Sequence, residues 1–180
     1  VLIDAATSCL LVVDIQSKLN PVMFDPARAP KGAAKLMLGA DILGVPTVVT
    51  EQYSKGVGPT VDDLQDFMPA DSPMEKNTFS CVADDAFMTR FRALGKKQAV
   101  IAGIEAHVCV LQTALQLLGE GVDVYVVEDA MASRTLENHR AGLERIRQEG
   151  GRIVTVEMVL FEWLKRSGTP EFKQISQLIK

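Results

Sequence analysis

The sequence predicts a single α/β domain over residues 1–180: a doubly wound, mostly parallel sheet between two layers of helices, a Rossmann-like three-layer sandwich. Three observations carry that expectation. Short apolar runs alternate from end to end with longer segments of helical period, and repeated strand–helix–strand order builds parallel sheets covered on both faces. The strand-like runs are rich in β-branched residues and apolar at consecutive positions, as strands buried on both faces must be. A chain of 180 residues suits one domain and can bury about 70% of its unfolded surface without a metal or disulfide.

The elements follow in order. Cys9–Asp14 (CLLVVD) is the first strand, and Lys31–Leu43 places Ala34, Leu38 and Ile42 at helical spacings of four. Val45–Glu51 (VPTVVTE) is the second strand. Ser54–Pro73, with Pro59, Pro69 and Pro73 and the glycines of KGVGPT, reads as a long loop, and long loops in compact domains carry function. Asp84–Leu94, with Phe87 and Phe91 on one face, is a helix that leads to the strand Ala99–Gly103. Val108–Leu118 is apolar nearly all round and is expected to be covered. After the strand Val122–Glu128, the helix Glu137–Gln148 turns Leu143 and Ile146 inward and stops at Gly150-Gly151. A strand Arg152–Val156 and an amphipathic helix Pro170–Lys180 complete the chain.

Composition excludes several functions. Nineteen Lys and Arg against 23 Asp and Glu give a net charge of −4, whereas nucleic-acid binders concentrate cations on one face. The longest stretch without a charged side chain, Ala106–Gly119, is too short to span a bilayer. The start, VLIDAATSCLLVVD, has no basic region of the secretory type. The cytosol is therefore the expected compartment, or the mitochondrion if a leader preceded Val1. Cys9, Cys81 and Cys109 make neither a disulfide framework nor a metal knuckle, and two histidines cannot supply a His-rich metal centre. No phosphate-binding glycine motif follows the first strand.

Ligands of open α/β sheets bind beyond the carboxyl ends of the strands, where strand order reverses. With the first strand central and Ala99–Gly103 beside it, Asp14 and Cys109 meet at one crevice. Cys109 lies near the start of a helix, where unpaired N–H groups favour an anion and lower a thiol's pKa. A buried carboxylate at Asp14 must be paired or solvated. Lys76 is unremarkable on its own. His107 reads as a helix-start contact or pocket wall, and His139, on a charged helix, as solvated.

The segments LLVVDIQ, EKNTFS and GIEAHVCV, in that order, resemble the isochorismatase-like hydrolases, also called cysteine hydrolases. TEQYSKGVGPT and FEWLKRSGTPEFKQISQLIK resemble the isochorismatase domain-containing branch. The resemblance implies a triad of Asp14, Lys76 and Cys109 cleaving a C–N, amide-type bond of a small molecule through a thioester. It also implies an oxyanion hole from the backbone N–H groups of Glu105 and Cys109, with a cis peptide at Ile104–Glu105. Gln52, Tyr53 and His107 are candidate substrate contacts. The Asp-x-His metal motif of nicotinamidases is replaced by TEQYSKG, so no metal and no cofactor is expected, and Cys109 argues against vinyl-ether cleavage. The resemblance also implies a homo-oligomer, since family members usually form dimers or tetramers, and Phe161, Trp163 and Phe172 offer apolar surface for it. The alternative is a non-catalytic scaffold or ligand-binding member of the same family.

Overall fold

A computed structural model describes all 180 residues. Six strands, β1 (Ser8–Val13), β2 (Thr47–Gln52), β3 (Met74–Lys76), β4 (Gln98–Ile104), β5 (Asp123–Ala132) and β6 (Arg152–Val154), form one sheet in the order β3-β2-β1-β4-β5-β6. Every pairing is parallel, so the expected doubly wound sheet is present and β1 lies at its centre. Crossovers feed β1 outward to β2 and β3 on one side and to β4, β5 and β6 on the other. The reversal of strand order therefore falls between β1 and β4.

Alternate residues of the strands face two separate cores. Leu10 and Val12 of β1 join Val100, Ala102 and Ile104 of β4 beneath α1 (Arg28–Leu43). The helices α7 (Val156–Leu164) and α8 (Pro170–Ile179) cover the same face. Cys9, Leu11 and Val13 join Ala99 and Ile101 on the opposite face. There α4 (Asp85–Leu94), α5 (Leu111–Gly119) and α6 (Leu136–Gln148) pack. Residues one apart on a strand point to opposite faces, which is why β1 and β4 are apolar at every position.

Local chemistry fixes the helix ends. Asp84, Thr135, Thr155 and Thr169 each accept a backbone N–H of the first turn of α4, α6, α7 and α8, satisfying donors that a helix start leaves orphaned. The Thr155 cap explains why the last strand is shorter than expected: it stops at Val154 because α7 begins at Val156. The Ser54–Pro73 stretch holds two short helices, α2 (Ser54–Val57) and α3 (Asp62–Gln65). It delivers an unexpected edge strand, β3, whose three residues carry no recognisable period.

Three further expectations are corrected. The buried stripe of α1 is Ala29, Ala33, Leu36 and Ala40, with Ala34, Leu38 and Ile42 only half-buried. Small residues face inward because α1 lies tightly on its neighbours: a Cβ on Gly32 would stand 2.6 Å from Ala130, and one on Gly39 2.3 Å from Leu160. Trp163 is core rather than surface, its indole N–H donating to Ser8 Oγ at 3.1 Å. His139 is only 2% exposed and packs edge-on against Phe24, with neither ring nitrogen partnered.

Gly103, at the end of β4, has φ +137°, and a Cβ there would lie 2.2 Å from the Val13 carbonyl oxygen. Gly103→Ala is expected to cost at least about 3 kcal/mol in chemical denaturation, because the clash is with backbone that cannot repack. Burial, then Arg28, Arg140 and His107, lower the His139 ring from 6.5 to about 4. The stability its neutral form contributes is complete above pH 6.5 and is lost as pH falls toward 4, amounting to about 3 kcal/mol. Denaturation of His139→Leu at pH 7 and pH 4.5 should show a correspondingly smaller acid loss than the parent.

Candidate active site

Where β1 ends, the chain turns at Asp14 with φ +53°, a left-handed conformation that Asp tolerates better than most residues. The turn drops the carboxylate into the switch point, wholly buried. Its two oxygens are held separately: Oδ1 accepts from Thr50 Oγ1 at 2.8 Å, and Oδ2 from Lys76 Nζ at 2.8 Å. Thr50 stands opposite Val13 in the β1–β2 register, and Lys76 ends β3 opposite Gln52. Three strand ends thus converge on one ion pair.

Lys76 is itself only 3% exposed. Its ammonium also donates to Gln52 Oε1 at 2.7 Å and to the carbonyls of Thr78 and Phe79 at 3.0 Å each. Burial alone would lower its pKa, but the charge of Asp14 and the hydrogen bond to it reverse that and hold it above the usual lysine value. The group stays a cation. The Gln52 side chain is spent in this work, since its Nε2 donates to the Asn77 carbonyl at 2.9 Å.

Cys109 sits in a π-helical turn, Ala106–Val110, between β4 and α5; such turns recur at functional sites. Burial first, and the facing Asp14 carboxylate second, push its thiol well above the ordinary cysteine value, with Lys76 opposing them. The resting group is therefore a thiol facing the Asp14 carboxylate. The thiolate expected from the helix start alone is outweighed by desolvation and by a neighbouring negative charge. Cys81 and Cys9 are deeper still, pushed up to about 11 and about 12 by burial.

Cys109 lines a cleft of about 150 Å³ together with Gln52, Glu105, Val108 and Arg134 and the apolar side chains of Leu19, Val57 and Phe79. Larger grooves of about 400 Å³ and about 430 Å³ run along α1 but contain none of Asp14, Lys76 or Cys109. The Ile104–Glu105 peptide is cis. The Glu105 N–H has no acceptor within the protein, while its carboxylate takes Arg134 Nε at 2.7 Å and lies 3.4 Å from His107 Nε2. His107 Nδ1 pairs with Ser133 Oγ at 3.0 Å, so this ring faces Glu105 and Ser133 rather than the thiol. Tyr53 is half exposed, with its ring over Gly56 and away from the cleft lining. No three His, Cys, Asp or Glu side chains converge as a metal site would need.

Sequence reasoning missed Thr50, Arg134 and Phe79. Thr50 was recoverable in principle, since a polar residue ending an apolar strand beside Asp14 must face the same crevice. Arg134 and Phe79 lie outside regular elements and gave no signal.

An isochorismatase domain model matches residues 8–158. A Phytophthora sojae protein named secreted isochorismatase effector Isc1 is 38% identical over 97% of this chain and 85% of its own length. The zebrafish isochorismatase domain-containing protein 2 is 36% identical over 96% of this chain and 86% of its own. The structure of MAR1 ribonuclease from Caenorhabditis elegans superposes with a TM-score of 0.92 at 33% identity, covering 99% of this chain and 92% of that one. The Escherichia coli YcaC gene product, described as an octameric hydrolase of unknown specificity, gives a TM-score of 0.92 at 26% identity over 99% and 90% of the two chains. With the fold, the motifs and these likenesses in agreement, the chain belongs to the isochorismatase family, in the branch of the isochorismatase domain-containing proteins.

Proposed function

We propose that this protein is a metal-independent cysteine hydrolase that cleaves a C–N, amide-type bond of a small molecule. The observation that carries the reading is the buried Lys76–Asp14 pair set against the one cysteine thiol that lines a cleft. Asp14 takes the Cys109 proton as sulfur attacks the carbonyl carbon, forming a C–S bond and a tetrahedral oxyanion. The N–H groups of Glu105 and Cys109 receive that oxyanion. The unspent Glu105 donor supports this role, and one such donor lowers the barrier by about 2.7–4 kcal/mol. The C–N bond then breaks, and the leaving nitrogen takes the proton held on Asp14. Water, giving a proton to Asp14, attacks the thioester; the acid departs and the proton returns to sulfur. Lys76 remains charged throughout and balances the negative charge as it moves.

The size of the cleft, about 150 Å³, lies below the roughly 300–1,000 Å³ of drug-sized ligand sites and calls for a compact substrate. The same observation favours the second reading, a member that binds a ligand without turnover. Mass spectrometry separates them. An acyl adduct on Cys109 during incubation with a small amide and ester library supports the hydrolase, and unmodified protein with bound ligand supports the alternative. Because one structural neighbour is named a ribonuclease, RNA belongs in the panel, and it is expected to remain intact.

Iodoacetamide should modify Cys109 in the native protein while sparing Cys9 and Cys81. Removing the Asp14 charge frees the thiol to ionise, so Asp14→Asn is expected to alkylate at least about tenfold faster at pH 8. Lys76→Met removes the opposing cation and should slow the reaction by a similar factor. Both variants, and Cys109→Ser, should lose turnover by at least about a thousandfold. Alkylation of Cys109 at one common rate in the parent, Asp14→Asn and Lys76→Met would exclude the triad.

The reading includes self-association, as the octameric neighbour is described to show. Phe161 and Met158 of α7, each nearly half exposed, with Phe161 leaning on Phe172, supply the apolar contact. Light scattering should give a multiple of the chain mass, reduced to the monomer in Phe161→Glu.

A further inference from the structure

We propose that Thr50 is a positioning residue for Asp14: its hydroxyl occupies Oδ1, limits how tightly the carboxylate holds the Cys109 proton, and so sets the reactivity of that thiol. The proposal rests on the Asp14–Cys109 reading given above and assigns the polarity of a hydrogen-bond chain behind it.

Thr50 is 1% exposed, and its side chain has no access to water. Its Oγ1 lies 2.8 Å from Asp14 Oδ1 and 4.0 Å from the Cys81 sulfur. An ionised carboxylate only accepts, so the Thr50 hydroxyl must donate to it. The oxygen of Thr50 then has a lone pair directed elsewhere, and the Cys81 S–H is the donor beside it. Burial keeps Cys81 a thiol, pushed up to about 11, and its backbone N–H is anchored on Thr113 Oγ1 at 3.0 Å. The order Cys81 S–H, Thr50 O–H, Asp14 oxygen is therefore fixed in one direction.

Asp14 has two strong donors, one on each oxygen: Lys76 on Oδ2 and Thr50 on Oδ1. Lys76 supplies charge and a hydrogen bond, whereas Thr50 supplies only a hydrogen bond and leaves the net charge of the site unchanged. Without it, Oδ1 loses its one side-chain donor, and more of the carboxylate's negative charge is left facing the Cys109 thiol. The stronger negative charge beside sulfur disfavours the resting thiolate, and alkylation by iodoacetamide, which reads that thiolate, becomes slower.

That direction separates positioning from packing. Loosened packing would hydrate Cys109, relieve the burial that holds its thiol up, and speed alkylation. Loss of the Thr50 donor slows it. The second-order rate of Cys109 alkylation by iodoacetamide at pH 8, read by peptide mass spectrometry, should fall about tenfold in Thr50→Val, in keeping with the loss of a hydrogen bond to a charged group. Thr50→Ser, which retains the hydroxyl, should stay within about twofold of the parent. In an Asp14→Asn background, adding Thr50→Val should change the rate by less than about twofold, since the Asn oxygen still accepts from Thr50 but carries no negative charge for that bond to temper. Acceleration in Thr50→Val, or an effect of equal size with Asn at position 14, would overturn the proposal. If Asp14→Asn alone leaves the rate unmoved, the Asp14–Cys109 reading fails instead, so the two failures are distinguishable.

Discussion

Two opposite charges can be kept out of water only if nearly every hydrogen-bonding position on both is filled, because each ion left incomplete costs several kcal/mol. The Lys76–Asp14 pair meets that condition and dictates much of the architecture around it. Lys76 has four acceptors about its three protons, two of them carbonyls of the segment that follows β3. That segment must curl back over the ammonium, which brings Phe79 to the cleft lining. Gln52 needs its own support: Gln16 Oε1 accepts the Gln52 N–H at 2.7 Å, and Gln16 Nε2 donates to the Gln52 carbonyl at 2.9 Å and to that of Gly58 at 2.7 Å. Glu51, on the other face of β2, fastens Thr60 through its N–H and hydroxyl. Satisfying one buried ion pair thus orders the long irregular stretch between β2 and β3.

The sheet makes the convergence affordable. In a doubly wound sheet the strands on either side of the reversal have their crossovers on opposite faces, which leaves an unoccupied crevice at their carboxyl ends. β1 ends there in Asp14, and β4 leads there to Glu105 and the turn bearing Cys109. Gly103 lets the backbones of β1 and β4 close to a distance that no side chain allows, so the Asp14 carboxylate and the Cys109 thiol face one crevice without any long loop to carry them. Strand ends hold Asp14 and Lys76, and the π-helical turn that follows β4 holds Cys109.

The fold was legible in the sequence because its strands are buried on both faces, and consecutive apolar residues in CLLVVD and AVIAG admit few other interpretations. Asp14 and Cys109 were legible for the same reason, since strand ends and topology bring them together. Lys76 was not. It comes from an edge strand of three residues, and a lysine in EKNTFS has no periodicity to betray its burial; only the resemblance singled it out. Sequence position also misjudged His139, whose helix is charged overall but turns that one residue under Phe24. The alanine-rich face of α1 misled in a further way: close packing chose small residues, whereas periodicity arguments follow large ones.

The electrostatics of Cys109 run against the simplest notion of a reactive cysteine. A depressed thiol pKa marks nucleophiles that wait as thiolates, and here burial and Asp14 raise it instead. In the proposed mechanism this is an advantage. A thiolate facing the Asp14 carboxylate would place two negative charges beside one ammonium before any substrate arrived. A thiol that gives up its proton only as the C–S bond forms keeps the site at a single negative charge, balanced by Lys76, in every step. The proton resides on Asp14 while the negative charge resides on the substrate oxygen, and the two exchange places as the intermediate collapses. Such a site depends on how firmly Asp14 holds a proton rather than on the acidity of sulfur, which places the control of the chemistry in the donors around the carboxylate.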